Sequence, residues 1–226
     1  MGTHGVRSVL ASLSLLALGS AAASAQSIFK QQAHRPMALV TGKAALQTVV
    51  LAGGCFWGVE AVFEHLKGVK SVVSGYAGGT VVNPDYNTVT TGRTGHAEAV
   101  KVTFDPSVVS YETLLKVFFT VAHDPTELNR QGPDVGTQYR SAVFFMNAEQ
   151  QKVTAEVIAA MTAAKTYRKP IVTQVASLDK FYDAEAYHQN YLYSHTTQPY
   201  IVYNDLPKIE ALKQQYPTLW EKTSGK

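Results

Sequence analysis

The chain has 226 residues, 46% of them hydrophobic and 16% charged, with a formal net charge of +3 and a single cysteine. That is enough apolar sequence for one domain with a sizeable core, while so small and scattered a charge gives no ground for a nucleic-acid partner. One cysteine excludes an internal disulfide and a multi-thiolate metal site, and the chain has no run of about 18 apolar residues to span a membrane.

Residues 1–25 pair a weakly basic start (His4, Arg7) with an apolar run from Val9 to Leu18 and small residues ending in Ala23-Ser24-Ala25. This pattern predicts a secretory signal peptide cut near Gln26, and so export across the inner membrane to the periplasm. The alternative is a disordered or core-buried N-terminal helix. Residues 26–47 include Pro36 and Gly42, lack sustained periodicity and read as an extension leading into the domain over residues 48–226.

Thr48 to Ala52 is a β-branched run that predicts a strand, and Gly53-Gly54 permits a tight turn. Phe56, Val59, Val62, Phe63 and Leu66 then recur at helical spacing, which puts Cys55 at a helix N-terminus. Free N–H groups and the helix dipole there favour a thiolate, the reactive form. A buried cysteine serving as a small apolar residue is the alternative, against which stand the flanking glycines and aromatics.

Val69 to Ser74 predicts a strand entering a glycine-rich turn over 75–79, followed by a long polar loop over 80–95. Glu98, Val100, Val102 and Phe104 then share one face of a strand, so Glu98 projects with the apolar set. Loss of hydration would raise its pKa and suit it to donate a proton; a strand-end glutamate reaching solvent is the other reading. Ser110 is a candidate cap for a helix carrying Leu114, Leu115 and Phe118, and a polar loop runs from His123 to Gln138. Ser141 to Met146 predicts a strand, Asn147 with Gln150 a capping box, and Val153, Val157, Met161 and Ala164 a helix stopped by Pro170. A strand over 171–176, an aromatic-rich stretch over 181–193 and a last helix from near Pro207 complete the chain. This order predicts an α+β fold with helices packed on a mixed, mainly antiparallel sheet.

His96-x-Glu98 resembles half of a zinc deaminase signature, but that chemistry also needs a Cys-x-x-Cys pair that one cysteine cannot supply. A cysteine hydrolase, a peroxide-reducing thiol enzyme and a binding module with an aromatic pocket remain open on residue types alone.

Seven motifs occur in order: Gly-Cys-Phe-Trp-Gly (54–58), Gly-Tyr-Ala-Gly-Gly (75–79), Thr-Gly-His-Ala-Glu (94–98), His-Asp-Pro-Thr (123–126), Asn-Arg-Gln-Gly (129–132), Gly-Thr-Gln-Tyr-Arg-Ser (136–141) and Tyr-His-Gln-Asn-Tyr-Leu (187–192). Together, over about residues 48–193, they resemble the peptide methionine-S-sulfoxide reductase A family. The resemblance implies a two-layer sandwich with a ferredoxin-like core, reducing methionine S-sulfoxide, free or in oxidised proteins, with no metal or other cofactor. It implies Cys55 as nucleophile, Glu98 as acid, and Tyr86 and Tyr139 as donors to the sulfoxide oxygen. Phe56 and Trp57 would wall a methyl pocket, with Asp134, His188 and Tyr191 lining the site. Many family members carry a resolving cysteine where this chain has Ile201 in Gln198-Pro199-Tyr200-Ile201. A sulfenic acid on Cys55 would therefore be reduced by an external thiol, from glutathione with glutaredoxin or a thioredoxin-like protein. Nothing in the chain calls for an oligomer, and a monomer is expected.

Overall fold

The computed structural model describes residues 1–2 and 45–223. Residues 3–44, which carry the signal-peptide reading and most of the extension, lie outside the described residues. Among the described residues eight strands follow in chain order: β1 (Gln47–Gly53), β2 (Val69–Ala77), β3 (Ala97–Phe104), β4 (Arg130–Gln131), β5 (Asp134–Val135), β6 (Ser141–Phe145), β7 (Gln174–Ser177) and β8 (Phe181–Asp183). The α-helices are α1 (Phe56–Glu64), α2 (Tyr86–Thr90), α3 (Tyr111–Val117), α4 (Ala148–Ala163), α5 (Tyr191–Ser194) and α6 (Leu206–Gln215).

Six strands form one sheet in the order β7-β6-β1-β3-β2-β8, antiparallel at every step except β6 with β7. Its middle, β6-β1-β3-β2 with α1 after β1 and α3 after β3, is the expected ferredoxin-like core. β1 is central because both of its faces are apolar. Val49 and Leu51 join the large core with α1, α3 and α4, while Val50 and Ala52 pack on the opposite face with Ala97, Ala99, Ala142 and Phe144. Side chains alternate across the sheet, so Glu98 lies on the helix-side face with Val100, Val102 and Phe104.

Several boundaries differ from expectation, each for a local reason. Gly75-Tyr76-Ala77 continues β2 instead of turning, because it pairs with both β3 and β8. A side chain at Gly75 would strike Phe181 and the Tyr182 carbonyl. The loop over 80–95 holds α2, whose capping box joins Asp85 and Thr88, and the loop after His123 holds the β4–β5 hairpin. Asn147 caps α4, but Gln150 completes no box: its amide oxygen accepts from Met146 N (2.8 Å) and its nitrogen donates to Thr48 O (2.7 Å). That helix ends well before Pro170, where Lys165 takes a left-handed conformation (φ 52°), and the following strand begins at Gln174.

Candidate active site

The site lies where the C-terminal end of β1 meets the start of α1. Gly54 turns the chain with φ +91°, and a side chain there would meet Gln131 Cβ at 2.6 Å, so only glycine fits. Cys55 is the N-cap of α1 and is buried, 8% exposed. Two residues into α1, Gly58 admits Asp205: a side chain there would collide with the Asp205 carboxylate. Asp205 is fully buried and pairs with Lys208 at 3.1 Å.

Cys55, Phe56, Trp57, Tyr86, Glu98, Asp134, Tyr139, Gln198 and Tyr200 line a cleft of about 220 Å³. Seven of the nine expected site residues thus share one cleft. His188 and Tyr191 stand behind its wall: His188 Nδ1 accepts from Trp57 Nε1 at 3.1 Å, and Tyr191 stacks on Trp57 with ring centroids 3.8 Å apart. Both contact the indole from behind, and His188 also packs on Tyr86 (ring centroids 4.4 Å apart) and Phe56 (5.0 Å), so neither lines the cleft directly. Gln198 and Tyr200, considered in the sequence only as neighbours of a missing cysteine, form part of the wall, and Tyr200 donates its hydroxyl hydrogen to Asp134 Oδ2. No periodicity marks them. The pairing of Gly58 with Asp205 is equally silent in the sequence.

Burial decides the ionisation states. Glu98 is 1% exposed, and desolvation, with help from the charge of Asp134, raises its pKa to about 8 against the opposing hydrogen bond from Phe56 N. At neutral pH Glu98 holds its proton. Tyr86 is pushed up to about 12, first by burial and then by Glu98, and Tyr139 is raised further for the same reasons, so both phenols remain donors. Cys55 departs from the expectation of a helix-stabilised thiolate. Burial pushes its thiol well up, and the charges of Glu98 and Asp205 add to this, outweighing the Trp57 backbone amide and Lys208. The helix terminus acts in the direction expected, but desolvation is the larger effect. Protonation of Glu98 removes one of the charges opposing a thiolate.

Two histidines near the site are committed elsewhere. His123 is held near pKa 4 by burial, against the backbone hydrogen bond from its ring to Phe118 O; as neutral imidazole it donates to Phe118 O (3.0 Å) and accepts from Ser141 Oγ (2.6 Å). His188, likewise lowered by burial, accepts from Trp57. Among the described residues no histidine is hydrogen-bonded to Cys55, and no cluster of His, Cys, Asp and Glu could hold a metal ion.

A buried thiol set among a protonated carboxyl and two phenols defines a cysteine enzyme able to protonate a leaving oxygen. The chain belongs to the peptide methionine sulfoxide reductase family, whose model matches residues 47–220. It is 55% identical to peptide methionine sulfoxide reductase MsrA 2 of Mesorhizobium japonicum over 174 residues, 77% of this chain and 89% of that protein. To the MsrA of Deinococcus radiodurans it is 51% identical, over 76% of this chain and 84% of the other. Among solved structures, reduced Mxr1 of Saccharomyces cerevisiae is similar with TM-score 0.64 and 34% identity, covering 69% of this chain and 89% of that one. Methionine sulfoxide reductase A of Corynebacterium diphtheriae follows with TM-score 0.59 and 35% identity, covering 72% and 81%. The activity that goes with this membership is thiol-dependent reduction of methionine sulfoxide, a repair of oxidised protein.

Proposed function

We propose that the substrate is the S epimer of methionine sulfoxide, free or in proteins, and that Cys55 and Glu98 carry the reaction. The observation that supports this most is their joint presence in one cleft, with Glu98 Oε2 accepting the N–H of Phe56, the residue after Cys55, at 3.1 Å. The sulfoxide oxygen accepts from Tyr86 and Tyr139 and takes the Glu98 proton as Cys55 sulfur attacks the sulfoxide sulfur. Phe56 and Trp57 pack on the substrate methyl group. The oxygen passes to Cys55: the sulfoxide gains two electrons and leaves as methionine, and the thiol becomes a sulfenic acid. Two external thiols then return it to the thiol, releasing water and a disulfide.

Incubation with racemic methionine sulfoxide and dithiothreitol, with the epimers resolved, tests this reading. Loss of the S form alone supports it; loss of neither, as for a hydrolase or a binding module, would refute it. The reading extends to a monomer whose catalytic domain spans residues 48–226, preceded by an N-terminal extension over 26–47 and exported to the periplasm by a signal peptide over residues 1–25. Its support is the basic, apolar and small-residue order at the N-terminus. Glutathione with glutaredoxin, or a thioredoxin-like protein of the same compartment, would supply the thiols.

A further inference from the structure

A second cleft, of about 250 Å³, opens where α4 ends. Met161, Tyr167 and Ile171 give it an apolar floor, and Lys165, Arg168 and Lys169 stand on its rim. All three cations are exposed, and none has an ion pair among the described residues. Asp124 is the carboxylate whose charge reaches Tyr167, and it is already engaged by the Thr126 amide (2.8 Å) and hydroxyl (2.7 Å). The segment is pinned: Tyr167 donates its hydroxyl hydrogen to Phe119 O, Val172 N donates to Pro125 O at 2.9 Å, and Thr173 Oγ1 lies 2.7 Å from Ser141 Oγ.

The topology puts this cleft at the same end of the sheet as Cys55. β1 runs towards Gly53, which pairs with Ser141 at the start of β6, and β7 is parallel to β6 with Gln174 opposite Ala142. The segment over 165–173 that enters β7 therefore belongs to the end carrying Cys55, two strand positions to the side. Strands lie about 4.8 Å apart, so two positions are about 10 Å, and the cleft lies beyond the end of β7; an extended chain, advancing about 3.3 Å per residue, needs about three residues for the sideways step and one or two more to reach past the strand end.

We propose that this cleft is a second contact site for polypeptide substrates, taking an acidic side chain about three to five residues from the methionine sulfoxide. The proposal rests on the reading that sulfoxide within proteins is a substrate. Unpaired cations over an apolar floor fit a carboxylate whose stem, or an adjacent apolar side chain, covers Met161 and Ile171. Free methionine sulfoxide is too small to reach it, so the cleft would discriminate among protein sites without affecting the chemistry.

The test uses the full chain and two labelled peptides with a central methionine, one with Glu four residues to either side and one with Gln there. By fluorescence anisotropy at low ionic strength, the Glu peptide should bind about fivefold tighter, the scale of one partly exposed carboxylate among several cations. The preference should vanish in the Lys165→Ser/Arg168→Ser/Lys169→Ser variant and shrink in high salt. With the corresponding sulfoxide peptides, kcat/KM should show the same ratio, while free methionine sulfoxide is reduced equally by the chain and its variant. Equal binding of both peptides, or a preference that survives in the triple variant, would overturn the proposal. So would equal binding of a Glu peptide lacking methionine, which would mark an anion site unconnected with the substrate. Failure to reduce free methionine sulfoxide would instead refute the functional reading, with the binding ratio still deciding the second site.

Discussion

Glu98 is tied to the helix that Cys55 caps: its Oε2 accepts the Phe56 backbone N–H at 3.1 Å, although the two residues are 42 positions apart. One hydrogen bond thus fixes the proposed acid and nucleophile in a common frame at the join of β3 and α1. Glu98→Gln retains an acceptor for that N–H but has no proton to give. Its kcat/KM should fall by about 10²–10⁴, the usual worth of a general acid, with the circular dichroism spectrum unchanged. Retention of full activity, with chemistry rate-limiting, would remove Glu98 from the acid role.

The same carboxyl predicts the direction of the pH profile. Its pKa is raised to about 8, so the donor form exists below that value and is lost as pH rises through it. Because thiolate formation at Cys55 changes with pH in both proteins, the informative quantity is the ratio of single-turnover rates, natural chain over Glu98→Gln, with free methionine sulfoxide. That ratio should be constant well below pH 8 and fall as pH rises through it. A ratio independent of pH would assign the effect to another group.

Stability should follow a related curve. Glu60, on α1, is also raised to about 8, by burial first and then by the charge of Glu64. A carboxyl whose pKa rises on folding binds its proton more tightly in the native state, so stability is highest below the unfolded value near 4.5. It then declines up to about pH 8, at about 1.4 kcal/mol per pH unit for each such group. Glu60→Gln keeps an oxygen for Asn190 N, which Glu60 Oε2 accepts at 3.0 Å, and should flatten the fall of the urea midpoint between pH 5 and 8. An equally steep fall in the variant would mean that Glu60 is not neutral in the folded chain.

The residues that share a strand face or a turn were legible in the sequence, and those joined only by tertiary contact were not. Alternation in β3 placed Glu98 on the core face, and two glycines before an amphipathic run placed Cys55 at a helix start. Gly75 looked like a turn because glycine usually signals one; here it admits β8 against β2. The family resemblance supplied Tyr86, Asp134 and Tyr139, whose roles no local pattern marks. It also suggested His188 and Tyr191 as lining residues, whereas the fold puts them one layer back, against Trp57. The ionisation of Cys55 depended on how deeply the corner is buried, which spacing along the chain does not encode.

Gly58 offers a test of the packing behind Cys55. Gly58→Ala would drive a methyl group into the Asp205 carboxylate, which is fully buried beside Lys208. Overpacking of this kind costs about 1–3 kcal/mol. The urea midpoint should fall accordingly, and kcat should fall with it because the displaced turn carries Cys55. A variant with wild-type stability would show that the segment around Asp205 yields without cost.

The last prediction concerns recycling and follows from Ile201. Its side chain is fully buried and packs with Ala61 and Leu192 in a small core of its own, while Cys55 belongs to the large core. With one cysteine in the chain, the enzyme without reductant should form one methionine per active site and stop. Dimedone should then add to Cys55, and intact mass should show a single modified thiol. Dithiothreitol or glutathione should restore turnover by forming a mixed disulfide at Cys55, and a glutathione-linked reductant should outperform thioredoxin alone. Ile201→Cys adds a second thiol but leaves it in the separate core, at the start of the π-helical turn Ile201–Asp205. The variant should therefore lose stability, by about the 1 kcal/mol or more of a truncated buried aliphatic chain, and still yield a dimedone-reactive sulfenic acid after one turnover. Rapid loss of both thiols in that variant, with no trappable sulfenic acid, would show that the turn unwinds readily enough to deliver residue 201 to Cys55. Failure to trap a sulfenic acid in the natural chain would contradict the mechanism itself.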